Sequence, residues 1–253
     1  MFYFLLWIGC KSIPDAPTEL DDLAAYLFEN FDKEDPAYME SGVANLISWI
    51  DGNREKLNEG YRIENLSVEV FEELGFGQDD MGNLLGAAVA TDIHYPLEEA
   101  IEVLLLTDPM AMNPDNYEFN IVDWANNMEC FLEQACDFTE YNSHLKNYFP
   151  LGIEVETWVY GRYRWIESDI GKVAIQRRWL TKPAVVNFDW LNLDLEFALS
   201  VYLPTDEGMR FVDMDWIIAS LGELPVPEDF MLSLAIDMMR DGRKNLESYM
   251  DEN

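Results

Sequence analysis

The chain has 253 residues, enough for one large domain or two small ones. Hydrophobic residues make up 49% of it and aromatic residues 13%, a composition that predicts a packed core and excludes a disordered acidic chain. The formal net charge of −33 excludes the basic footprint of a nucleic-acid-binding protein and disfavours direct adsorption to anionic lipid headgroups.

The N-terminal residues form an apolar run from Phe2 to Gly9 that ends at Cys10. The run is too short to span a bilayer, which takes about 20 residues, but it has the length of the apolar part of a secretory signal. The stretch LLWIGC, residues 5–10, resembles the lipobox of bacterial lipoproteins, and a polar tether with two prolines follows it. The alternative is a buried N-terminal strand in which the cysteine is incidental.

The lipobox resemblance implies a location for the protein. Residues 1–17 would be a signal remnant and tether, and Cys10 would carry the lipid that attaches the protein to a membrane. The folded part would then lie outside the cytoplasm, in the cell envelope, at the outer membrane or on its periplasmic face.

Residues 18–80 are predicted to form a helical subdomain. Apolar residues recur at helical spacing in residues 18–31 and again after Asp35 and Pro36, which together favour a helix start. Ser67 and Gly75 are expected to cap the two ends of a short third helix. The predicted buried stripes are Leu20, Leu23, Leu27 and Phe31 in the first helix, and Met39, Val43, Leu46, Ile47 and Ile50 in the second.

Residues 81–253 are predicted to form an α+β domain. Residues 83–95 are typical of a strand, Pro96 opens a helix, and residues 110–150 read as an irregular segment. Runs with a period of two predict four more strands, joined in part by short turns that imply antiparallel pairing. These runs are 153–167, 172–180, 195–203 and 209–220.

The last predicted element is a long helix that starts at Pro227. Its apolar residues fall on one stripe at helical spacing, which we expect to face the sheet. The stripe consists of Met231, Leu234, Ala235, Met238, Gly242, Leu246 and Tyr249.

The two remaining cysteines, Cys130 and Cys136, are predicted to form a local disulfide. An even pair remains if Cys10 carries lipid, and an oxidising compartment permits the bond. Two alternatives stay open: free buried thiols, or a zinc site completed by His144.

The element order resembles the helix-grip fold of the START and polyketide-cyclase-like superfamily over about residues 83–250. That fold is a curved antiparallel sheet wrapped around its C-terminal helix. The resemblance implies an apolar ligand held between sheet and helix. The alternative is a general α+β domain in which a helix packs on the sheet without a cavity.

Two groups of residues are candidates for ligand binding. Aromatic and methionine side chains could line an apolar pocket, although such stripes more often pack a core. This group consists of Trp165, Trp179, Phe197, Trp216, Met231 and Met238. Arginines on the 153–167 and 172–180 strands could anchor an acidic ligand head, or could pair internally with nearby acids. The arginines are Arg162, Arg164, Arg177 and Arg178, and the acids considered are Glu154, Glu156, Asp213 and Asp215.

No catalytic motif and no spaced metal ligands occur in the sequence. We therefore expect a protein that is not an enzyme and has no cofactor or bound metal. The predicted function is that of a membrane-anchored extracytoplasmic lipoprotein that binds an apolar or amphipathic small molecule and no nucleic acid. The rival is a structural or interaction protein of the cell envelope with a filled core.

Overall fold

A computed structural model describes residues 15–77, 84–112, 116–149, 152–220 and 228–253. Cys10 and most of the predicted tether lie outside these residues. Among the described residues, no helix combines the length and the apolar character that crossing a membrane requires.

Seven helices occur in the described residues, and three of them come before strand β2 (Leu85–Ile93) in the chain. The helices are α1 (Leu20–Asn30), α2 (Ala37–Glu59), α3 (Val68–Glu73), α4 (Leu97–Leu106), α5 (Pro109–Met112), α6 (Met128–Leu132) and α7 (Glu228–Glu252). The Ser67 hydroxyl accepts a hydrogen bond from the Val70 amide at the start of α3, as the sequence predicts.

The nine strands of the described residues form one antiparallel sheet in the order β1-β2-β9-β8-β6-β5-β4-β3, with β7 beside β5. The strands are β1 (Tyr61–Ile63), β2 (Leu85–Ile93), β3 (Tyr117–Trp124), β4 (Phe138–Phe149), β5 (Ile153–Ser168), β6 (Gly171–Leu180), β7 (Val185–Val186), β8 (Asn192–Thr205) and β9 (Gly208–Ser220).

Each face of the sheet is covered by a different set of helices. The face that carries Ile175, Phe197 and Trp216 packs against α1, α2 and α3, and is called the helical face. The face that carries Tyr202 and Phe211 packs against α4, α6 and α7, and is called the grip face. The sheet therefore separates two apolar cores.

The core on the helical face is dominated by aromatic rings in edge-to-face contact. The ring centroid of Phe28 in α1 lies 5.9 Å from that of Phe197 and 5.5 Å from that of Trp216. Phe71 of α3 lies 5.2 Å from Phe197. Because β1 also pairs with β2, the predicted helical subdomain and the predicted α+β domain share this core.

The predicted fold class is confirmed. The protein is α+β, with N-terminal helices followed by an antiparallel sheet and a long C-terminal helix on one face of that sheet.

The segment 110–150 is not irregular, and that part of the prediction is wrong. It contains β3, α6 and β4, which extend the sheet by two strands. The inward positions of β4 include Thr139 and Ser143, both buried and both hydrogen-bonded to asparagine side chains. Because these inward residues are polar, the strand lacks the apolar alternation by which strands are predicted.

The stripe predicted for the last helix is also partly wrong. Leu234 and Met238 are 45% and 48% exposed, whereas their neighbours Ala235 and Met239 are buried against β2. Apolar residues occupy most positions from 231 to 239, so helical spacing alone admits two neighbouring stripes.

Candidate functional site

The aromatic and methionine residues predicted to share one pocket lie in different places. Phe197 and Trp216 are fully buried in the core of the helical face. Trp165 belongs to the grip face, where its ring stacks on Phe131 at a centroid distance of 5.2 Å and its Nε1 donates to the Phe131 carbonyl at 2.9 Å. Met231 is half-buried on α7. These residues therefore do not line one pocket, and Phe197 and Trp216 pack the core, which is the alternative that the sequence analysis gave as more frequent.

The turn between β5 and β6 separates the two tryptophans Trp165 and Trp179. Ser168 pairs with Gly171 across a two-residue turn, so each odd-numbered residue of β5 lies beside an even-numbered residue of β6. Side chains of paired residues point to the same face of the sheet. Trp165 therefore faces α6, while Trp179 faces the N-terminal helices.

The predicted disulfide between Cys130 and Cys136 is present, with Cα atoms 5.3 Å apart. The bond closes a short loop around α6, whose Phe131 is fully buried against Trp165. His144, the third residue of the zinc alternative, lies on β4 with its Nε2 atom 2.6 Å from Glu156. No group of metal-ligating side chains occurs within the described ranges.

Three of the four predicted arginines gather on the helical face. Arg162 and Arg177 are register partners on β5 and β6, and both bind the Asp32 carboxylate. Arg164 donates to the backbone carbonyls of Phe31 at 2.6 Å and Lys33 at 3.0 Å. The internal pairing that the sequence left open is thus observed, but with an acid that the sequence did not single out.

The fourth arginine, Arg178, lies in a charged layer on the grip face. It binds Glu196 of β8, and its Nη2 lies 3.8 Å from Asp215 of β9. The pKa of Asp215 is raised to about 8, because burial and the nearby carboxylates of Asp213 and Glu196 outweigh the attraction of Arg178.

A second ion pair in this layer holds α7. The Arg243 guanidinium lies 2.6 Å from the Asp213 carboxylate and 3.5 Å from the Phe211 ring centroid. The Ser200 hydroxyl donates to the other oxygen of Asp213 at 2.6 Å. The C-terminal half of α7 is therefore fixed to β9 by a buried, fully bonded carboxylate.

A groove of about 470 Å³ opens between α4 and the C-terminal end of α7, and is called the helix groove. Its apolar surface comes from Val103 and Leu106 on α4 and from Met250 on α7. Aromatic and polar residues complete the lining: Tyr95, Glu99, Glu102, Thr107, Tyr249 and Asn253. The Tyr95 hydroxyl donates to Asp251 at 2.8 Å and so links the strand end to α7. No basic residue lines the groove among the residues that the structure describes.

The sequence carried one signal for the helix groove. Residues 103–106 are four consecutive apolar residues on a helix, and they cannot all face one core. Leu105 is buried, while Leu106 is 53% exposed and borders the groove. The sequence did not show that α7 would supply the opposite wall.

A second cavity, of about 310 Å³, lies between α1, α3 and strands β5 and β6, and is called the arginine cleft. It is lined by two predicted ligand residues, Trp179 and Arg162, and by Arg177. The remaining lining residues are Glu29, Asp32, Val70, Glu73, Leu74 and Tyr160.

No protein-family model and no curated protein sequence matches the chain. Among solved structures, the STAR-related lipid transfer protein from Xanthomonas axonopodis has 11% identity and a TM-score of 0.43, covering 66% of this chain and 85% of its own. A START superfamily protein from Mycobacterium smegmatis has 11% identity and a TM-score of 0.39, covering 68% and 99%. A protein from Thermus thermophilus has 16% identity and a TM-score of 0.37, covering 67% and 94%. These similarities concern the arrangement of strands and helices.

Proposed function

We propose that the protein is a lipid-anchored extracytoplasmic protein that binds a small amphipathic molecule in the helix groove. The observation that carries the binding proposal is the groove of about 470 Å³ beside α7, whose lining combines apolar residues with two glutamates. Its volume falls in the range of about 300–1,000 Å³ that is usual for small-molecule sites.

The lining of the helix groove indicates which chemical groups its ligand carries. Val103, Leu106 and Met250 offer the apolar contact, and Leu106 keeps 53% of its surface exposed in the free protein. Glu99 and Glu102 offer negative charge, and tyrosine rings attract cations through their π-faces. The ligand that fits this surface has an apolar tail and a positively charged head.

Isothermal titration calorimetry tests the groove with decyltrimethylammonium below its micellar concentration, on the full chain carrying Cys10→Ser. We expect this cation to bind at least tenfold more tightly than decyl sulfate, because Glu99 and Glu102 line the groove. Leu106→Ser should weaken binding by about 1 kcal/mol, roughly fivefold in affinity, since about half of a leucine side chain remains to be buried.

Two matched controls separate the groove from the general acidity of the protein. Leu234→Ser removes an equally exposed leucine from the outer side of α7, and Glu98→Gln removes a charge from α4 outside the groove lining. Both controls should bind as the parent does. Equal weakening by Leu106→Ser and Leu234→Ser, or equal binding of the two detergents, would refute the assignment.

The anchor is tested separately by metabolic labelling with a fatty acid in a bacterial host. The unmodified chain should incorporate label and reach the membrane fraction, and Cys10→Ser should do neither. Equal labelling of the two chains would remove the lipoprotein proposal and leave the groove proposal standing.

One observation favours the rival, an envelope interaction protein with a filled core. On the grip face, Phe131, Trp165, Tyr202 and Phe211 pack against one another beneath the helices. The rival predicts that native mass spectrometry of the secreted protein finds no bound small molecule. A bound mass of a few hundred daltons that is lost on denaturation would exclude it.

A further inference from the structure

The arginine cleft has an anion position that an acidic side chain of the protein itself occupies. Asp32 Oδ1 accepts from Arg162 Nη1, and Asp32 Oδ2 accepts from Arg177 Nη2. Hydrogen bonds between a guanidinium group and a carboxylate oxygen are charge-assisted and stronger than those between neutral groups, and here each oxygen of the carboxylate accepts one. We propose that the arginine cleft is a second ligand site, which binds a small planar carboxylate, and that Asp32 fills its anion position in the free protein.

The anion position is built by the sheet and only filled by Asp32. Arg162 and Arg177 are register partners on β5 and β6, so the ladder between the two strands sets their spacing. Asp32 instead belongs to the connection between α1 and α2, and its side chain is 43% exposed. An incoming carboxylate can therefore replace Asp32 without disturbing the sheet.

The Arg177 side chain is rigidly held, which suits a preformed site. It is 7% exposed, its Nη1 donates to the Phe28 carbonyl at 3.1 Å, and its guanidinium lies about 5 Å from the ring centroids of Phe31 and Trp179. Burial lowers the pKa of Arg177 even though Asp32 is beside it, so a single carboxylate does not fully offset the loss of hydration.

Arg162 and Arg177 also have guanidinium N–H groups that Asp32 does not bind. Arg164 adds a third guanidinium, and burial lowers its pKa as well. Besides Asp32, the nearest carboxylate to Arg162 is Glu140, at 3.6 Å from Nε. The Nε atoms of Arg162 and Arg177 have no hydrogen-bond partner among the described residues. The two arginines thus retain donor capacity that Asp32 does not use.

The remaining walls of the arginine cleft select a flat apolar group. The ring centroids of Tyr160 and Trp179 lie 4.8 Å apart with an interplanar angle of 53°, and Val70 of α3 and Leu74 just after it line the same space. Aromatic and aliphatic walls on a cavity of about 310 Å³ suit one fused ring system. Glu29 and Glu73, which also line the cleft, disfavour ligands with more than one negative charge.

The test uses 2-naphthoate and its neutral isostere 2-naphthamide, titrated calorimetrically into the full chain carrying Cys10→Ser. We expect naphthoate to bind at least tenfold more tightly than naphthamide. Asp32→Asn removes the internal competitor and should increase naphthoate affinity at least fivefold. Glu34→Gln, the same charge change at an exposed position of the same connection, should leave the affinity unchanged.

Each outcome decides the proposal. Equal binding of naphthoate and naphthamide, equal effects of Asp32→Asn and Glu34→Gln, or no naphthoate binding to either chain at millimolar ligand would overturn it. If Asp32→Asn does not fold, Trp179→Leu in the parent chain replaces it, and this variant should lose naphthoate binding at least tenfold while decyltrimethylammonium binding in the helix groove stays as it was. Because decyltrimethylammonium binding reports on the helix groove alone, this measurement also shows whether the arginine-cleft proposal or the proposed function has failed.

Discussion

Replacing Arg243 by methionine tests how α7 is held on the sheet. Arg243 reaches from α7 to Asp213 of β9, whose side chain is almost completely buried. Methionine keeps the length and apolar contacts of the arginine stem but removes the guanidinium. Asp213 would then keep the Ser200 hydroxyl as a partner but would lose its counter-ion.

The expected loss of stability is large for a single substitution. Removing one partner of a buried ion pair costs about 3–5 kcal/mol, because the other charge stays buried without compensation. The contact between Arg243 and the Phe211 ring adds about 0.5–2 kcal/mol to the loss. For a domain of this size each kcal/mol lowers Tm by roughly 2–4 °C, so Tm should fall by about 15 °C.

Urea denaturation, followed by circular dichroism and tryptophan fluorescence, measures the free energy of unfolding. Lys244→Met is the matched control, because Lys244 is one residue along the same helix and pairs with Asp241 in an exposed i,i+3 contact. The control should change stability by less than about 0.5 kcal/mol. The double variant Arg243→Met with Asp213→Asn should lose less stability than Arg243→Met alone, since neither charge of this ion pair is then left buried without its partner.

The reasoning would be refuted if Arg243→Met lowered the free energy of unfolding by less than about 1 kcal/mol, as little as the control does. Asp213 would then not be a buried charge that depends on Arg243. The reasoning would also be refuted if the stability losses of Arg243→Met and Asp213→Asn simply added in the double variant, since the losses of two coupled partners are expected to deviate from additivity.

Three further predictions concern other parts of the grip face. Burial raises the pKa of Asp215 in the folded state to about 8, against 3.8 for an ordinary aspartate. The folded state therefore binds an extra proton between these pH values, and the free energy of unfolding should fall as pH rises from 4 to 8. Asp215→Asn should lack this dependence, and superimposable pH profiles for the two chains would contradict the burial argument. Replacing Cys130 and Cys136 by serine should lower the free energy of unfolding by about 2 kcal/mol under non-reducing conditions, because a short loop is no longer closed; a chain in which both thiols react before reduction would show that the bond is absent in solution. Gly161→Ala should cost about 1–3 kcal/mol, since the added Cβ would meet the Tyr141 ring, and an unchanged Tm would show that the ring can move aside.

Local pattern was sufficient for the elements whose inner residues are apolar. The alternation along β5 and the stripes of α1 and α2 follow from burial of one face, so the spacing of apolar residues alone predicted them. Where inward residues are polar, as in β4, that signal disappears, because hydrogen bonds between side chains replace apolar contacts.

The composition and pattern of this chain thus determined its class: an acidic α+β protein with N-terminal helices, an antiparallel sheet and a long last helix. Only the tertiary structure decided which side chains meet. A two-residue turn places Trp165 and Trp179 on opposite faces of the sheet. Asp32 binds Arg162 although the two residues are 130 positions apart in the chain. The helix groove and the arginine cleft arise from such long-range packing, because a local pattern specifies which face of an element is buried but not which element covers it.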